Sequence, residues 1–330
     1  MKTVYRTHYG PSHVLSVKDV PIPTPKDNEL LVRVRAATVN RTDCSGLSGR
    51  PFVYRFFAGF PRPRFVATGT DFAGDVEAVG KSVSHFKVSD RIWGLDDNGL
   101  GSHAQYFILN ANKPIAKIPE GVSYEHAVAS AEGAHYALNF IKKVPLQAGQ
   151  KVLVNGGTGA IGSAAIQLLK HKGLRVTAVC AGPHMETVRA LGAERVIDYL
   201  TQDFVEALAP QAADDAFDFV FDAVGKSTFG RCKPLMKPGA VYLSSELGPH
   251  AQNIWLALAA PVLSPFSARK KVIFPVPFDV KGSLAFMTEL LQQGAFVPLI
   301  DRRFAMEQIA DAFDYVQSGQ KIGNVLLTME

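Results

Sequence analysis

The stretch Val152-Leu153-Val154-Asn155-Gly156-Gly157-Thr158-Gly159-Ala160-Ile161-Gly162 decides how the chain folds. A short apolar strand runs into a turn of the form Gly157-x-Gly159-x-x-Gly162. A helical run over 160–172 follows, with Ile161, Ala165, Leu168 and Leu169 on one side. Glycines at this spacing have separate jobs: one makes the tight turn, one lets backbone approach a pyrophosphate, one lets helix pack closely on strand. The opening helix offers free N–H groups and its positive dipole end to an anion. Such a turn alone is a weak signal, because glycine-rich turns are common. Here a second strand at Arg175 to Val179 completes the context of a dinucleotide-binding βαβ unit. Gly157, Thr158, Gly159, Ala160, Ile161 and Gly162 are therefore the residues expected to hold a dinucleotide pyrophosphate.

Outward from this turn the rhythm continues. Helical stretches at 185–191, 203–208 and 227–236 alternate with strands at 195–197, 218–221 and 240–243, the last helix being stopped by Pro238-Gly239. That alternation predicts an α/β fold with a doubly wound parallel sheet. Upstream, segments 30–36, 72–80, 90–94 and 104–108 read as strands separated by short turns, an all-β pattern. Downstream, amphipathic helices at 281–293 and 307–317 end at Gly294 and Gly319, and a strand at 324–328 closes the chain. Three parts follow, with limits at 1–124, 125–266 and 267–330.

Composition bounds the partners. The chain has 330 residues, of which 47% are apolar and 20% charged, ample for two buried cores. The net charge of +5 suits an anionic cofactor, nucleic acid or an acidic membrane. No long Lys/Arg block exists; Arg62-Pro63-Arg64, Arg269-Lys270-Lys271 and Arg302-Arg303 are short and read as solvated surface. Nucleic acid and membrane surface are thus not expected as partners. Cys44, Cys180 and Cys232 are odd in number and far apart, which supports neither a disulfide framework nor a zinc ribbon and suits a reducing, cytoplasmic setting. The first residues lack the apolar core of a signal peptide. The most apolar stretch, 254–263, is too short to cross a bilayer and reads as a buried or interface helix.

The region after the second strand of the βαβ unit selects the dinucleotide. An acidic residue usually stands there to hold a ribose 2′-hydroxyl. This chain has Val179-Cys180-Ala181-Gly182-Pro183-His184, without a carboxylate. A 2′-phosphate would meet no repulsion and His184 could donate to it, with Arg189 further along. NADP(H) is expected in preference to NAD(H).

Nearly the whole chain resembles the medium-chain dehydrogenase/reductase superfamily, in its zinc-free, zeta-crystallin-like quinone oxidoreductase branch. The resemblance rests on Val39-Asn40-Arg41-Thr42-Asp43, Gly69-Thr70-Asp71-Phe72-Ala73-Gly74, Val88-Ser89-Asp90-Arg91 and the glycine turn. It continues through Ala190-Leu191-Gly192-Ala193, Val196-Ile197-Asp198-Tyr199, Phe221-Asp222-Ala223-Val224-Gly225 and Ser318-Gly319-Gln320-Lys321-Ile322-Gly323-Asn324-Val325. It implies a Rossmann sheet inserted into a GroES-like β-barrel catalytic domain. It adds Tyr199, Val224, Ser245 and Asn324 to His184 and the glycine turn as cofactor-binding positions, and implies a homodimer joined through the nucleotide sheets.

Zinc-dependent relatives hold the metal with a Cys two residues before Thr-Asp and a His in a Gly-His-Glu segment. Asn40 and Thr70 stand at those positions, and no cysteine-rich structural lobe is present between 96 and 102. Zinc needs thiolate or imidazole ligands, so none is expected. Without a Lewis acid, acceptors that delocalise charge themselves, quinones and α,β-unsaturated carbonyls, are the expected substrates. Asn40 is the first catalytic candidate, beside the nicotinamide, although it also suits a turn-stabilising role. Tyr136, in Glu132-Gly133-Ala134-His135-Tyr136-Ala137, replaces the threonine usual in relatives; it is a candidate proton donor or a packing aromatic. Segment 50–64, with Phe52, Tyr54, Phe56, Phe57 and Phe60 among arginines, reads as an acceptor lid, as core or dimer packing, or as a patch leaning on acidic membrane. Two alternatives stay open: an idle dinucleotide binder of crystallin-like or nucleic-acid-binding type, and a zinc-free NADP-dependent alcohol dehydrogenase.

Overall fold

The computed structural model describes residues 1–52, 54–209, 215–263 and 268–329, with the side chains of Tyr54, Phe57 and 261–263 outside the description. Contacts divide the chain into two units: Met1–Glu132 with Asp279–Glu330, and Gly133–Phe278.

The first unit opens with strands β1 (Lys2–Tyr5), β2 (Ser16–Asp19) and the long β3 (Glu29–Val39). Helices α1 (Arg41–Ser48) and α2 (Tyr54–Ala58) follow, then β4 (Asp71–Val79), β5 (Arg91–Leu95), β6 (Tyr106–Asn110), β7 (Ile115–Lys117) and helix α3 (Tyr124–Ala129). The all-β reading of this region therefore needs correcting. Asn40 ends β3 and caps α1: its side chain accepts from Asp43 N while Asp43 reaches back to Asn40 N, a reciprocal capping box. That local bonding wins over the strand pattern on either side.

The second unit begins within α4 (Glu132–Lys142) and alternates strands with helices: β8 (Lys151–Asn155), α5 (Ala160–His171), β9 (Arg175–Cys180), α6 (Met185–Leu191), β10 (Arg195–Asp198), α7 (Phe204–Ala207) and β11 (Phe217–Asp222). It ends with α8 (Phe229–Cys232), β12 (Met236–Ser244), α9 (Gln252–Leu263) and β13 (Lys271–Ile273). The strands lie in the order β10-β9-β8-β11-β12-β13, every pair parallel. This is the doubly wound order, with its topological switch point between β8 and β11.

One expectation fails here, and of a second only the buried alternative falls. The helix read over 227–236 is only one short turn at Phe229–Cys232 and a 3-10 turn at Lys233–Leu235, because Pro234 cannot continue it. The next strand begins at Met236, ahead of Pro238-Gly239. The register slips between Phe217 and Phe219, which leaves Pro238 unpaired in an irregularity of the ladder. The apolar stretch 254–263 does form helix α9, but Trp255 and Leu258 are 67% and 69% exposed, so it is not a core helix.

Back in the first unit, α10 (Val280–Gln292), β14 (Ile300–Ala305), α11 (Ile309–Ser318) and β15 (Asn324–Thr328) finish the chain. The unit's large sheet runs β14-β15-β3-β4-β5-β7, with β6 also pairing β3. Its core gathers Leu30, Val32, Leu47, Phe72, Ile92, Phe313, Val325 and Leu327, all buried. Contacts place the joins at 132/133 and 278/279 rather than at 124/125 and 266/267. The second shift has a plain cause: β13 pairs with β12 as the outer strand of the parallel sheet. Among the described residues, no helix is long and apolar enough to cross a membrane.

Candidate active site

In the nucleotide-type unit, the turn after β8 is shaped by glycine. Gly156 has φ of +86°, and a Cβ there would stand 2.7 Å from the Val224 Cβ. A Cβ on Gly162 would stand 2.1 Å from the Gly156 carbonyl oxygen, so helix α5 can rest on the turn only without a side chain at 162. Gly159 differs: a Cβ there meets nothing closer than the Gly156 oxygen at 3.5 Å. Its glycine is not demanded by the protein's own packing, which fits a cradle left open for a ligand. Gly156 N and Gly157 N both donate to Val179 O, tying the turn to β9. Thr158 lies within the turn, and Ala160, Ile161 and Gly162 open α5 behind Gly159, so their amides point from a helix start.

The remaining candidates of this unit follow the carboxyl ends of the strands. His184 ends the short turn after β9; it is half-buried, its N–H donates to Ala181 O at 3.0 Å, and its imidazole makes no hydrogen bond among the described residues. Arg189 pairs with Glu186 on the same helix. Tyr199 follows β10 and is 55% exposed. Val224 follows β11 and Ser245 follows β12, where the Ser245 Oγ is buried with no hydrogen-bond partner among the described residues. An orphaned buried hydroxyl at the same end of the sheet as the glycine cradle suits a bound polar ligand. A carboxylate does reach the β9 end, from the neighbouring strand: Asp198 Oδ1 accepts from Gly182 N at 2.8 Å and from Leu200 N at 2.9 Å.

Sequence reasoning assigned no role to the polar hub at the switch point. Asp222, fully buried at the end of β11, accepts from Asn155 Nδ2 (2.9 Å), Tyr242 OH (2.9 Å), Ser244 Oγ (3.0 Å) and Gly225 N (3.1 Å). Burial raises its carboxyl above the ordinary range, and these donors work against that. The available signal was one acidic residue closing the apolar run Phe219-Val220-Phe221.

Tyr136 lies half-buried on α4 in this unit, its ring edge-on to His135 at 5.8 Å. Asn40 and Asn324 belong to the other unit. Asn324 Nδ2 donates to Leu299 O at 3.0 Å. Asn40 is buried, and its amide is fully engaged: Oδ1 accepts from Asp43 N (2.9 Å), while Nδ2 donates to Thr70 Oγ1 (2.8 Å) and Thr38 Oγ1 (3.3 Å). It has no donor left over for a substrate carbonyl, and its visible role is to cap α1 and hold Thr70.

Around Asn40 lies a cluster of buried titratable groups. Thr38 donates through N and Oγ1 to Asp71. His103 Nε2 bonds Thr38 O at 2.9 Å and its Nδ1 meets Thr68 Oγ1 at 2.9 Å. Burial lifts the Asp43 carboxyl to about 7, only partly offset by the Asn40 amide, Thr70 and Arg6. Asp71 is raised too, by burial and then by the Asp43 charge. Burial pushes the His103 imidazole down to about 4. Thr42 donates to Glu132 at 3.1 Å, and burial raises that carboxyl also.

Residues 26–120 match the alcohol dehydrogenase GroES-like domain, and residues 191–327 match the zinc-binding dehydrogenase family. The glycine turn lies between the two stretches. A chloroplastic quinone-oxidoreductase homolog of Spinacia oleracea is 26% identical over 98% of this chain and 96% of its own length. The chloroplastic NADPH-dependent alkenal/one oxidoreductase of Arabidopsis thaliana is 28% identical, over 99% of this chain and 79% of its own. The quinone oxidoreductase of Escherichia coli, solved with NADPH, superposes with a TM-score of 0.83 at 22% identity, covering all of both chains.

Two outcomes test this geometry. Gly159→Val should abolish NADPH binding in calorimetry with melting temperature nearly unchanged, whereas Gly162→Ala should lower the melting temperature. Equal loss of stability in both would remove the distinction between cradle and packing glycine. The Asp43 carboxyl stays protonated in the folded chain while the unfolded chain ionises it from its ordinary 3.8, so its contribution to stability is lost as pH rises through about 7. Asp43→Asn keeps the capping acceptor and removes that loss. Its urea midpoint should therefore gain on the parent's as pH rises from 4 to 7, and a constant offset would show that Asp43 does not titrate there.

Proposed function

Because the chain belongs to the medium-chain dehydrogenase/reductase superfamily, we propose that it is an NADPH-dependent reductase passing hydride to quinones or α,β-unsaturated carbonyls without zinc. The observation that carries the reading is the 2.8 Å bond from Asn40 Nδ2 to Thr70 Oγ1. At the two positions where zinc-dependent members place ligands stand an amide and a hydroxyl that satisfy each other. Neither is a zinc donor of the usual kind, and the pair does not fit the metal. An acceptor reduced here must spread the incoming charge over its own conjugated system.

Bound NADPH supplies the hydride. The open cradle at Gly159 and the amides beginning α5 seat the pyrophosphate, flanked by Gly157, Thr158 and Val224. Ser245 Oγ donates to the coenzyme and so gains the partner it lacks. His184 donates to the 2′-phosphate, and Tyr199 covers the adenosine side. Asn324 and Tyr136 complete the coenzyme and acceptor contacts, with the Tyr136 hydroxyl as the proton source. Asn40 acts by positioning Thr70 rather than by touching the acceptor. Residues 1–132 and 279–330 supply the catalytic domain and 133–278 the nucleotide domain. A homodimer formed through the edge of the parallel sheet is part of this reading, supported by the outer strand β13 and the exposed Trp255, Leu258 and Val276 near it. Cys44, Cys180 and Cys232 are buried and unpaired, in keeping with a reducing, cytoplasmic setting.

NADPH oxidation with 1,4-naphthoquinone and with 2-alkenals tests the activity; turnover of neither, with coenzyme binding intact, would point to an idle binder. Asn40→Ser retains an N-cap oxygen but drops the amide donor. It should lower kcat about tenfold or more with little change in NADPH affinity, on the scale of one lost positioning contact. His184→Asp should shift the preference toward NADH, and an unmoved NADPH/NADH ratio would remove that residue from the 2′-phosphate site.

A further inference from the structure

Residues 44–70 contain Arg50, Arg55, Arg62 and Arg64 and no carboxylate. Phe52, Phe56, Phe60 and Phe65 in this segment are 56%, 65%, 60% and 57% exposed, so the aromatic residues described here are not core. The first three form one cluster: Phe52 stands edge-on to Phe56 at 5.7 Å and to Phe60 at 6.1 Å, while Phe56 stacks on Phe60 at 6.0 Å. The cluster rests on a built base. Tyr9 OH donates to Gly59 O at 2.8 Å, and Arg55 donates to Gly49 O and Ser48 O while lying 4.7 Å over the Tyr9 ring. Arg50, Arg62 and Arg64 are exposed and enter no ion pair among the described residues.

Contiguous exposed apolar surface of this kind marks an interaction site. A second copy docking on it across a twofold axis would press the arginines against themselves. Single-stranded nucleic acid needs separate ring faces for successive bases, and here the rings are spent on one another. An anionic bilayer meets both halves of the patch: aromatic side chains partition into the interfacial zone, and guanidinium groups pair with lipid phosphates.

We propose that this surface docks on anionic lipid bilayers, with Phe52, Phe56 and Phe60 entering the interface and Arg50, Arg62 and Arg64 on the headgroup phosphates. This takes up the membrane reading of segment 50–64 and departs from the general expectation that membrane surface is not a partner. It needs no turnover and stands apart from the functional reading.

The full-length protein is floated with phosphatidylcholine vesicles with and without phosphatidylglycerol, at low and at physiological salt. Binding should require phosphatidylglycerol and weaken with salt. Arg50→Gln, Arg62→Gln and Arg64→Gln should each reduce it about fivefold at low salt. The combined Phe52→Ser, Phe56→Ser, Phe60→Ser variant, checked by circular dichroism and melting temperature, should reduce it more than about tenfold. Three results overturn the proposal: no binding to either vesicle, binding that the serine and glutamine variants leave unchanged, or a patch-dependent affinity for oligothymidylate or for a second copy without lipid binding. If the serine variant fails to fold, the three glutamine variants decide the matter alone.

Discussion

The parallel sheet and what it holds depend on one close approach, that of helix α5 to the turn that precedes it. Gly162 sits so near the Gly156 carbonyl that even a methyl group would force them apart. The constraint fixes the start of the helix against the end of β8 and aims its first amides beyond the sheet edge. Gly159 then stands at the same edge with space in front of it. Two glycines three residues apart thus do opposite things: one closes a gap inside the protein, and the other keeps a gap open.

The switch point of the sheet is held from below by Asp222. Four donors converge on a carboxylate whose burial alone would favour its neutral form. Asn155 and Asp222 are register partners across β8 and β11, so the bond between them joins the two halves of the doubly wound sheet where the strand order reverses. The other unit has its own buried polar centre, organised differently. Exclusion of water shifts Asp43, Asp71 and His103 toward their neutral forms, and Asn40 links Asp43 to Thr70. There, the buried amide of Asn40 and hydroxyl of Thr70 are turned toward one another.

The glycine turn and the alternation around it were legible because steric rules leave few alternatives: α6 and β15 fall on the residues expected, and α5 and β9 within one. The misreadings have physical causes. The Ser227–Met236 run has helical spacing, yet Pro234 breaks it and a ladder irregularity absorbs Pro238. Asn40 followed at the third residue by Asp43 is a capping signal, of which the sequence reading takes only the turn-stabilising asparagine after a strand. Aromatic richness in 50–64 fitted core, lid and surface equally well, since composition does not say which way a ring points. Asp222 reads as a single acid at the end of a strand, and only the register of three strands reveals its partners.

The position of β15 bears on how the molecule is made. Val325, Leu326 and Leu327 are wholly buried, in a strand lodged between β14 and β3. The residues that seal this sheet are synthesised after all of Gly133–Phe278. While the ribosome is still at work, the inserted unit has every strand it needs, and the older one waits with part of β3 bare. Trimming the chain before β15 would strand that gap permanently, turning a transient opening into a sticky edge.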